Sequence, residues 1–239
     1  MNKWLNNVQF MLFPATCLVC GAPGMKHWDI CEPCYRSLPS NSVACFVCGI
    51  PLPAESGGDS VCGQCLQHPP PYQRSIAGWR YEPPLDFFVL RLKFNKDLAY
   101  ARLMAQMFAE RLLKVYENQE HKPEVIMPVP LHSKRLRERG FNQALEIAKV
   151  ISRKLQIPLD IRSCTRPKMT LPQAELPAEE RKHNVNRAFA YNPSSPYRHI
   201  AIVDDVMTTG HTMQELTKTI QKVSSCDIDV WVCARANYR

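Results

Sequence analysis

The sequence predicts an α/β fold in which helices flank a mainly parallel sheet, with a small cysteine-rich module in front of it. Two short apolar runs, EVIMPV at 124–129 and IAIV at 200–203, each lead into a polar turn and then a helical pattern. That order of elements is typical of a parallel sheet. Eight of the eleven cysteines stand between residues 17 and 65. A chain of 239 residues can form one large domain and a small module.

The cysteine-rich module consists of four CxxC pairs arranged as two similar halves. Within each half the two pairs are 10 to 13 residues apart, so four thiolates can surround one tetrahedral zinc ion. We predict two structural Zn²⁺ sites, each formed by consecutive pairs, and an interleaved pairing is the open alternative. A disulfide framework is disfavoured because no export signal precedes the module. The expected ligands are Cys17, Cys20, Cys31, Cys34, Cys45, Cys48, Cys62 and Cys65.

A proline-rich spacer at residues 68–71 predicts the division into a double zinc-ribbon module, 1–70, and a larger domain, 71–239. The larger domain holds 27 Lys and Arg residues against 18 Asp and Glu residues. Such a basic surface suits a polyphosphate or a nucleic acid, and a solvated surface is the open alternative. The N-terminus lacks a signal-peptide pattern and no apolar run is long enough to span a bilayer, so we expect a cytoplasmic protein.

The elements of the larger domain follow from its hydrophobic periodicity. Period-two and continuous apolar runs predict strands, and apolar stripes with period 3.6 predict helices. Strands are expected at 72–81, 124–129, 157–161, 200–203 and 228–233, and helices at 83–94, 97–116, 140–155 and 213–223. A polar, proline-broken stretch at 164–186 is expected to be a lid, in which Thr170, Gln173, Arg181 and Asn184 fold over a ligand, or a surface segment.

The largest group of candidate ligand-binding residues follows the strand at 200–203. Asp204 and Asp205 are expected at its carboxyl end, where ligands bind in open α/β sheets, and two carboxylates suit a vicinal diol or a hydrated Mg²⁺. The next turn and helix start suit a phosphate, so the pattern predicts a site for a ribose 5-phosphate. An ordinary strand–turn–helix with a Thr N-cap is the alternative. The expected ligand-binding residues are Val206, Met207, Thr208, Thr209, Gly210, His211 and Thr212.

A second dense patch follows the strand at 124–129. It contains Lys134, Arg135, Arg137 and Arg139 within six residues. A loop of this composition can absorb the charge that develops on a leaving pyrophosphate. A basic helix face is the alternative, because Arg135 and Arg139 are one helical turn apart.

The turn D-D-x-x-T-T-G resembles the signature of the type I phosphoribosyltransferases, and the whole chain resembles the ComF/GntX family of bacterial proteins. The residues that carry the second resemblance are the four CxxC pairs, Pro128–Leu131, Arg139–Ala144, Gln173, Arg181, Asn184 and Val203–Gly210.

The resemblance implies a phosphoribosyltransferase-like fold behind a zinc module. It implies that Asp204 and Asp205 hold the ribose hydroxyls of phosphoribosyl pyrophosphate (PRPP), directly or through Mg²⁺, and that Thr208 to Thr212 hold its 5-phosphate. Arg137 and Arg139 would stabilise the pyrophosphate, which makes them catalytic candidates with the two aspartates. Members of the family are linked to natural transformation and to external DNA as a nutrient.

Three functions are therefore expected to compete. The first is an enzyme that displaces pyrophosphate from PRPP, and the second is a PRPP sensor without turnover. The third is a DNA-handling protein that binds single-stranded DNA and works with other DNA-uptake proteins. A role in DNA uptake or utilisation on a phosphoribosyltransferase-like fold is the leading prediction.

Overall fold

The computed structural model describes residues 14–25, 27–117, 119, 121–168 and 188–237. Its helices are α1 Glu32–Arg36, α2 Gly63–Gln67, α3 Leu85–Asn95, α4 Leu98–Tyr116, α5 Ser133–Arg139, α6 Gln143–Leu155 and α7 His211–Gln221. Its strands are β1 Arg74–Arg80, β2 Val125–Pro128, β3 Cys164–Thr165, β4 Ala190–Tyr191, β5 His199–Met207 and β6 Asp227–Arg235.

Four of these strands form one sheet in the order β1-β6-β5-β2, and every pairing in it is parallel. The two central strands, β5 and β6, are almost entirely buried, because neighbours cover both of their edges and helices cover both faces. A short antiparallel pair, β3 and β4, lies outside this sheet. The predicted α/β class with a mainly parallel sheet is confirmed.

Two apolar layers cover the faces of the sheet. Alternate residues of a strand point to opposite faces, and β5 divides accordingly. Ala201 and Val203 belong to a core formed with α3, α4 and α6. Ile200 and Ile202 belong to the other core, formed with α7 and the β3–β4 side of the sheet.

The strand predicted at 200–203 is longer in the structure, and this places the acidic pair differently. Asp204 and Asp205 lie inside β5, and not after it, because β6 continues alongside and pairs with Asp204 and Met207. On the other side, β2 ends at Pro128, opposite Val203. The acidic pair therefore lies at a step in the sheet, where β5 has a neighbour on one edge only.

The strand predicted at 157–161 is reduced to one parallel bridge, between Leu159 and Ile126. Pro158 has no N–H to donate to a ladder. The carboxylate of Asp160 then accepts hydrogen bonds from the backbone N–H groups of Arg162 and Ser163, at 2.9 and 3.0 Å. These contacts turn the chain away from the sheet.

The cysteine-rich module covers β1, the edge strand of the sheet. The backbone N–H of Arg80 donates to the carbonyl of Pro39 at 2.8 Å, and that of Ser75 donates to the carbonyl of Phe46 at 3.2 Å. Arg111 of α4 donates to the carbonyl of Gly78 and to the hydroxyl of Ser40. An exposed strand edge invites pairing with other chains, so the module also shields the sheet. The division at residue 70 stays a prediction.

A buried polar group joins β6 to α4. Asp229, which is fully buried, receives hydrogen bonds from Arg74 Nε at 3.0 Å and from the hydroxyl of Tyr116. The same hydroxyl accepts a hydrogen bond from Trp231 Nε1 at 3.0 Å. One hydroxyl thus donates to a buried carboxylate and accepts from a buried indole.

Tyr116→Phe is expected to lower the free energy of unfolding by about 1–3 kcal/mol, because it leaves the indole N–H of Trp231 buried without an acceptor. Urea denaturation followed by circular dichroism measures the change. Tyr35→Phe is the matched control, since Tyr35 is only partly buried, and its effect should stay within about 0.5 kcal/mol. Equal effects of the two substitutions would contradict this account of the network.

Candidate functional site

The eight cysteines of the module form two clusters. The Sγ atoms of Cys17, Cys20, Cys31 and Cys34 lie within 4.8 Å of one another, and so do those of Cys45, Cys48, Cys62 and Cys65. The structure therefore pairs consecutive knuckles, as predicted, and not interleaved ones.

The spacing of the sulfur atoms fits a metal site. Cys20 Sγ and Cys31 Sγ are 3.6 Å apart, and Cys48 Sγ and Cys62 Sγ are 3.7 Å apart. Four sulfurs at about 2.3 Å from a tetrahedral zinc ion would be about 3.8 Å from one another, whereas a disulfide requires about 2.05 Å. The residues thus fit two structural Cys₄ zinc centres.

Without a metal ion, the thiols of one cluster would not all be ionised. Burial disfavours the Cys17 thiolate, but backbone N–H groups of Cys31 and Cys20 outweigh it and lower the pKa of Cys17 to about 6. Burial and the neighbouring thiolates raise the pKa of Cys48 to about 11. Four thiolates cannot share one small volume without a positive charge, and a bound zinc ion supplies it.

Metal analysis of the purified protein is expected to give two zinc ions per chain, one for each cluster. Cys17→Ser and Cys45→Ser should each lose one zinc ion, because each removes one ligand from a different centre. Cys226→Ser is the control, because Cys226 lies outside both clusters and its loss should leave the zinc content unchanged. Loss of zinc from the Cys226→Ser protein would argue against the assigned ligands.

The acidic pair lies at the step in the sheet. Asp205 is 5% exposed, and it continues the face of Ala201 and Val203, which meets α3. Its Oδ2 atom is 2.9 Å from the Nζ atom of Lys93. Each carboxylate also accepts a hydrogen bond from the next backbone N–H, at 2.9 Å for Asp204 and 2.8 Å for Asp205.

Lys93 was not expected from the sequence to belong to the site. It lies on α3, more than one hundred residues before the acidic pair, and nothing in its local pattern distinguishes it from a surface lysine. Burial alone would lower its pKa, but the Asp205 carboxylate reverses this and raises the pKa of Lys93 above its ordinary value. Lys93 therefore stays charged and neutralises part of the buried negative charge.

The ionised form of the other carboxylate, Asp204, is disfavoured in the folded protein. Burial, followed by the adjacent charge of Asp205, raises the pKa of Asp204 to about 8. The folded chain therefore holds this proton more tightly than the unfolded chain, in which the pKa of aspartate is about 3.9. By linkage, this group makes the free energy of unfolding fall as the pH rises from about 4 to about 8.

Asp204→Asn removes this titration and keeps the shape of the side chain. We expect the variant to melt a few degrees above the unmodified protein at pH 8 and the difference to vanish near pH 4. Thermal denaturation between pH 4 and pH 9 measures it. Asp227→Asn is the control, because Asp227 is exposed at the opposite end of β6. A constant difference at all pH values would contradict the raised pKa.

The basic patch is a short helix, α5, and not the loop that was expected to supply pyrophosphate contacts. The segment therefore forms the basic helix that was the alternative to a loop. In this helix the arginines lie on different sides. Arg135 and Arg139 are partly buried on one side, while Arg137 is exposed on the other. The charge of Arg139 acts on Lys93, so Arg139 joins the acidic site. Arg137 is exposed, and its place in the site stays a prediction.

Arg166 is a further cation beside the site. It is 9% exposed, and its guanidinium carbon lies 5.2 Å from the centre of the Phe189 ring. Burial and the charge of Arg135 lower the pKa of Arg166 to about 10, and Asp204 acts in the opposite direction. Two guanidinium groups that repel each other beside an acidic site favour a bound anion.

The turn that follows β5 leads directly into the N-terminus of α7. Gly210 is the N-cap of α7 and adopts a left-handed conformation, with φ 78°, which favours glycine. The N-cap is thus Gly210 and not a threonine, although the hydroxyl of Thr209 accepts a hydrogen bond from the N–H of His211 at 3.5 Å. Arg235, which the sequence did not single out, donates to the carbonyl oxygens of Met207 and Thr208 and fixes the start of the loop. The predicted ligand-binding residues thus run from the end of β5 through the turn to the start of α7: Val206, Met207, Thr208, Thr209, Gly210, His211 and Thr212.

Thr170, Gln173, Arg181 and Asn184, the residues of the predicted lid, lie outside the described part of the chain. Within the described ranges, no helix combines the length and the apolar character needed to cross a membrane. A depression of about 760 Å³ lies at the amino ends of the strands, against Arg74, His199 and Asp229, and is separate from the acidic site.

Comparison with known proteins agrees with the two parts of the structure. The double zinc ribbon domain family matches residues 8–66. The chain is 34% identical over 224 residues to DNA utilization protein YhgH of Salmonella typhimurium, an alignment that covers 93% of this chain and 97% of that protein. It is 34% identical over 211 residues to competence protein F of Haemophilus influenzae. That alignment covers 87% of this chain and 90% of that protein.

Among solved structures, the chain is similar to adenine phosphoribosyltransferase from Leishmania tarentolae, with 11% identity and a TM-score of 0.39 over 68% of this chain and 91% of that one. At this score the likeness carries no argument about the site. The full-length relatives show the family: the chain belongs to the ComF/GntX family, with DNA utilization protein YhgH and competence protein F.

Proposed function

We propose that this protein binds PRPP or a related ribose 5-phosphate and that it uses this site in the uptake or utilisation of external DNA. The observation that carries the proposal is the placement of Asp204 and Asp205 at the step in the sheet, directly before a turn that opens a helix at Gly210. The printed names of the relatives support the DNA role, in which other DNA-uptake proteins would be partners.

Each part of the ligand has a matching part of the site. The carboxylates of Asp204 and Asp205 accept hydrogen bonds from the ribose hydroxyls. Thr208 to Thr212 surround the 5-phosphate with backbone N–H groups and hydroxyls at the start of α7. Arg135 and Arg139, together with Arg166, bind the pyrophosphate. We add Arg135 because it is partly buried on the same side of α5 as Arg139, and Arg137 stays a predicted pyrophosphate contact.

Mg²⁺ fits the donor set of the same site. Asp204 carries a raised pKa because its charge is poorly compensated, and a hard cation prefers carboxylate oxygens. A bound Mg²⁺ would supply positive charge between the ribose and the pyrophosphate, and Asp204 is the residue that would face it. Free thiolates persist most readily where the compartment is reducing, which supports a cytoplasmic location.

Isothermal titration of the zinc-loaded protein with PRPP and Mg²⁺ tests the proposal. We expect a dissociation constant on the order of micromolar and affinity at least about a hundredfold lower for Asp204→Asn/Asp205→Asn, because two charged acceptors are lost. Asp227→Asn is the matched control, because it removes an exposed carboxylate from the opposite end of β6.

The outcomes separate the alternatives. Absence of binding by the unmodified protein would overturn the proposal, and equal binding by the double variant would overturn the role of the acidic pair. If PRPP binds, release of pyrophosphate on addition of nucleobases or nucleotides identifies an enzyme. Binding without release identifies a sensor.

The exposed side of α5 supports single-stranded DNA as a second ligand. Lys134 and Arg137 are both exposed on this helix. We expect salt-dependent binding of an oligothymidylate by fluorescence anisotropy. Lys134→Ala/Arg137→Ala should reduce the slope of log K against log salt by about 1.4, for two lost phosphate contacts. Lys218→Ala/Lys222→Ala, at the carboxyl end of α7, is the control, and an equal reduction there would argue against this surface.

A further inference from the structure

Arg235, at the end of β6, connects the turn after β5 to the second zinc cluster. Its side chain is buried, with the residue 4% exposed. The Nη1 atom donates to the carbonyl oxygens of Thr208 and Met207, the latter at 3.3 Å. On its other side, the Nε atom donates to the carbonyl oxygen of Cys48 at 2.9 Å. One planar guanidinium therefore spans two segments that are about 160 residues apart in sequence.

The carbonyl group of Cys48 is itself fixed by the zinc knuckle. Cys48 is a member of the second cluster. The next residue, Gly49, has φ 66° and donates its N–H to the carbonyl of Cys45 at 2.8 Å. The side chain of Asn41 in turn donates to the carbonyl of Gly49 at 2.9 Å. The direction of the Cys48 carbonyl thus depends on the turn that wraps the metal.

Apolar packing provides a second connection between the same two segments. Tyr72 is 4% exposed, and its hydroxyl would lie 3.6 Å from a Cβ atom placed on Gly210. Val47, between Cys45 and Cys48, packs against the apolar cluster that contains Tyr72, Met207 and Met213. The turn, the start of α7 and the knuckle therefore form one packed unit.

The first zinc cluster has different neighbours. It packs against α4, where the hydroxyl of Tyr100 donates to the carbonyl of Leu18 at 3.0 Å and Arg102 pairs with Asp29 at 3.1 Å. These contacts belong to the opposite core from the one that holds Met207 and Met213. The two zinc centres are therefore not equivalent with respect to the turn.

We propose that Arg235 is a positioning residue through which the second zinc centre holds the phosphate-binding turn in place, so that zinc at Cys45, Cys48, Cys62 and Cys65 and ligand at Thr208–Thr212 stabilise each other. The ligand part of this proposal rests on the proposed function. Because coupling between two binding sites is reciprocal, zinc loss from the second centre weakens phosphate binding, and bound ligand slows zinc loss from that centre alone.

Hydrogen–deuterium exchange tests the connection without any ligand. In Arg235→Gln, amides 206–212 are expected to exchange at least about tenfold faster than in the unmodified protein, while the core of β5 stays protected. Arg111→Gln is the matched control, because Arg111 also joins the module to the sheet, through Ser40 and the carbonyl of Gly78, but does not contact the turn. Equal exchange in the two variants would overturn the proposal.

Zinc release measures the coupling in the other direction. With a chelator and a chromogenic zinc indicator, PRPP and Mg²⁺ should slow the release of one of the two zinc ions about five- to tenfold and leave the other unchanged. Arg235→Lys should lose most of this effect, because an ammonium group cannot span both segments. Arg111→Gln should keep it. An equal effect of PRPP on both zinc ions, or an unchanged effect in Arg235→Lys, would overturn the proposal.

The two experiments separate this inference from the proposed function. If PRPP does not bind, the proposed function fails, while the exchange of amides 206–212 still decides whether Arg235 links the turn to the zinc centre. If PRPP binds but neither the exchange rates nor the zinc release respond to Arg235, this inference fails and the proposed function stands.

Discussion

The parallel pairing of β5 with β6 is the interaction on which the rest of the structure depends. Its register places Asp204 opposite Val232 and Met207 opposite Arg235. Because β6 extends as far as β5 while β2 stops at Pro128, the carboxyl end of β5 is supported on one edge and open on the other. The same pairing that builds the core therefore creates the step, the acidic pair within it and the position of Arg235.

The step in the sheet contains two adjacent carboxylates, which an ordinary apolar core would not contain. Burying a carboxylate is costly unless a partner compensates it, and Lys93 compensates only Asp205 directly, at 2.9 Å. Asp204 keeps a raised pKa, and Arg166 keeps a lowered one beside Arg135. Charged groups of both signs with shifted pKa values, gathered in one place, are typical of a functional site.

The zinc module contributes more than a covering for the edge strand. Segments of this length bury too little apolar surface to fold unaided, so the metal centres define the shape of residues 17–65. The larger domain makes hydrogen bonds to the module in this conformation. Arg111 donates to the hydroxyl of Ser40, and Arg235 donates to the carbonyl of Cys48. A family defined by this combination of parts thus has a physical reason to keep the parts in one chain.

Local patterns were sufficient for the zinc ligands, the sheet class and the position of the turn at Thr208–Gly210, because CxxC spacing and apolar runs act over a few residues. The length of β5 and the roles of Lys93, Arg166 and Arg235 came only from the tertiary structure. The structure also decided between a loop and a helix at Ser133–Arg139. A strand extends as far as a neighbouring strand pairs with it. The role of a single lysine or arginine depends on the carboxylate or carbonyl that the fold brings into contact with it. Contacts of that kind, between residues far apart in the chain, leave no periodic signal in the sequence.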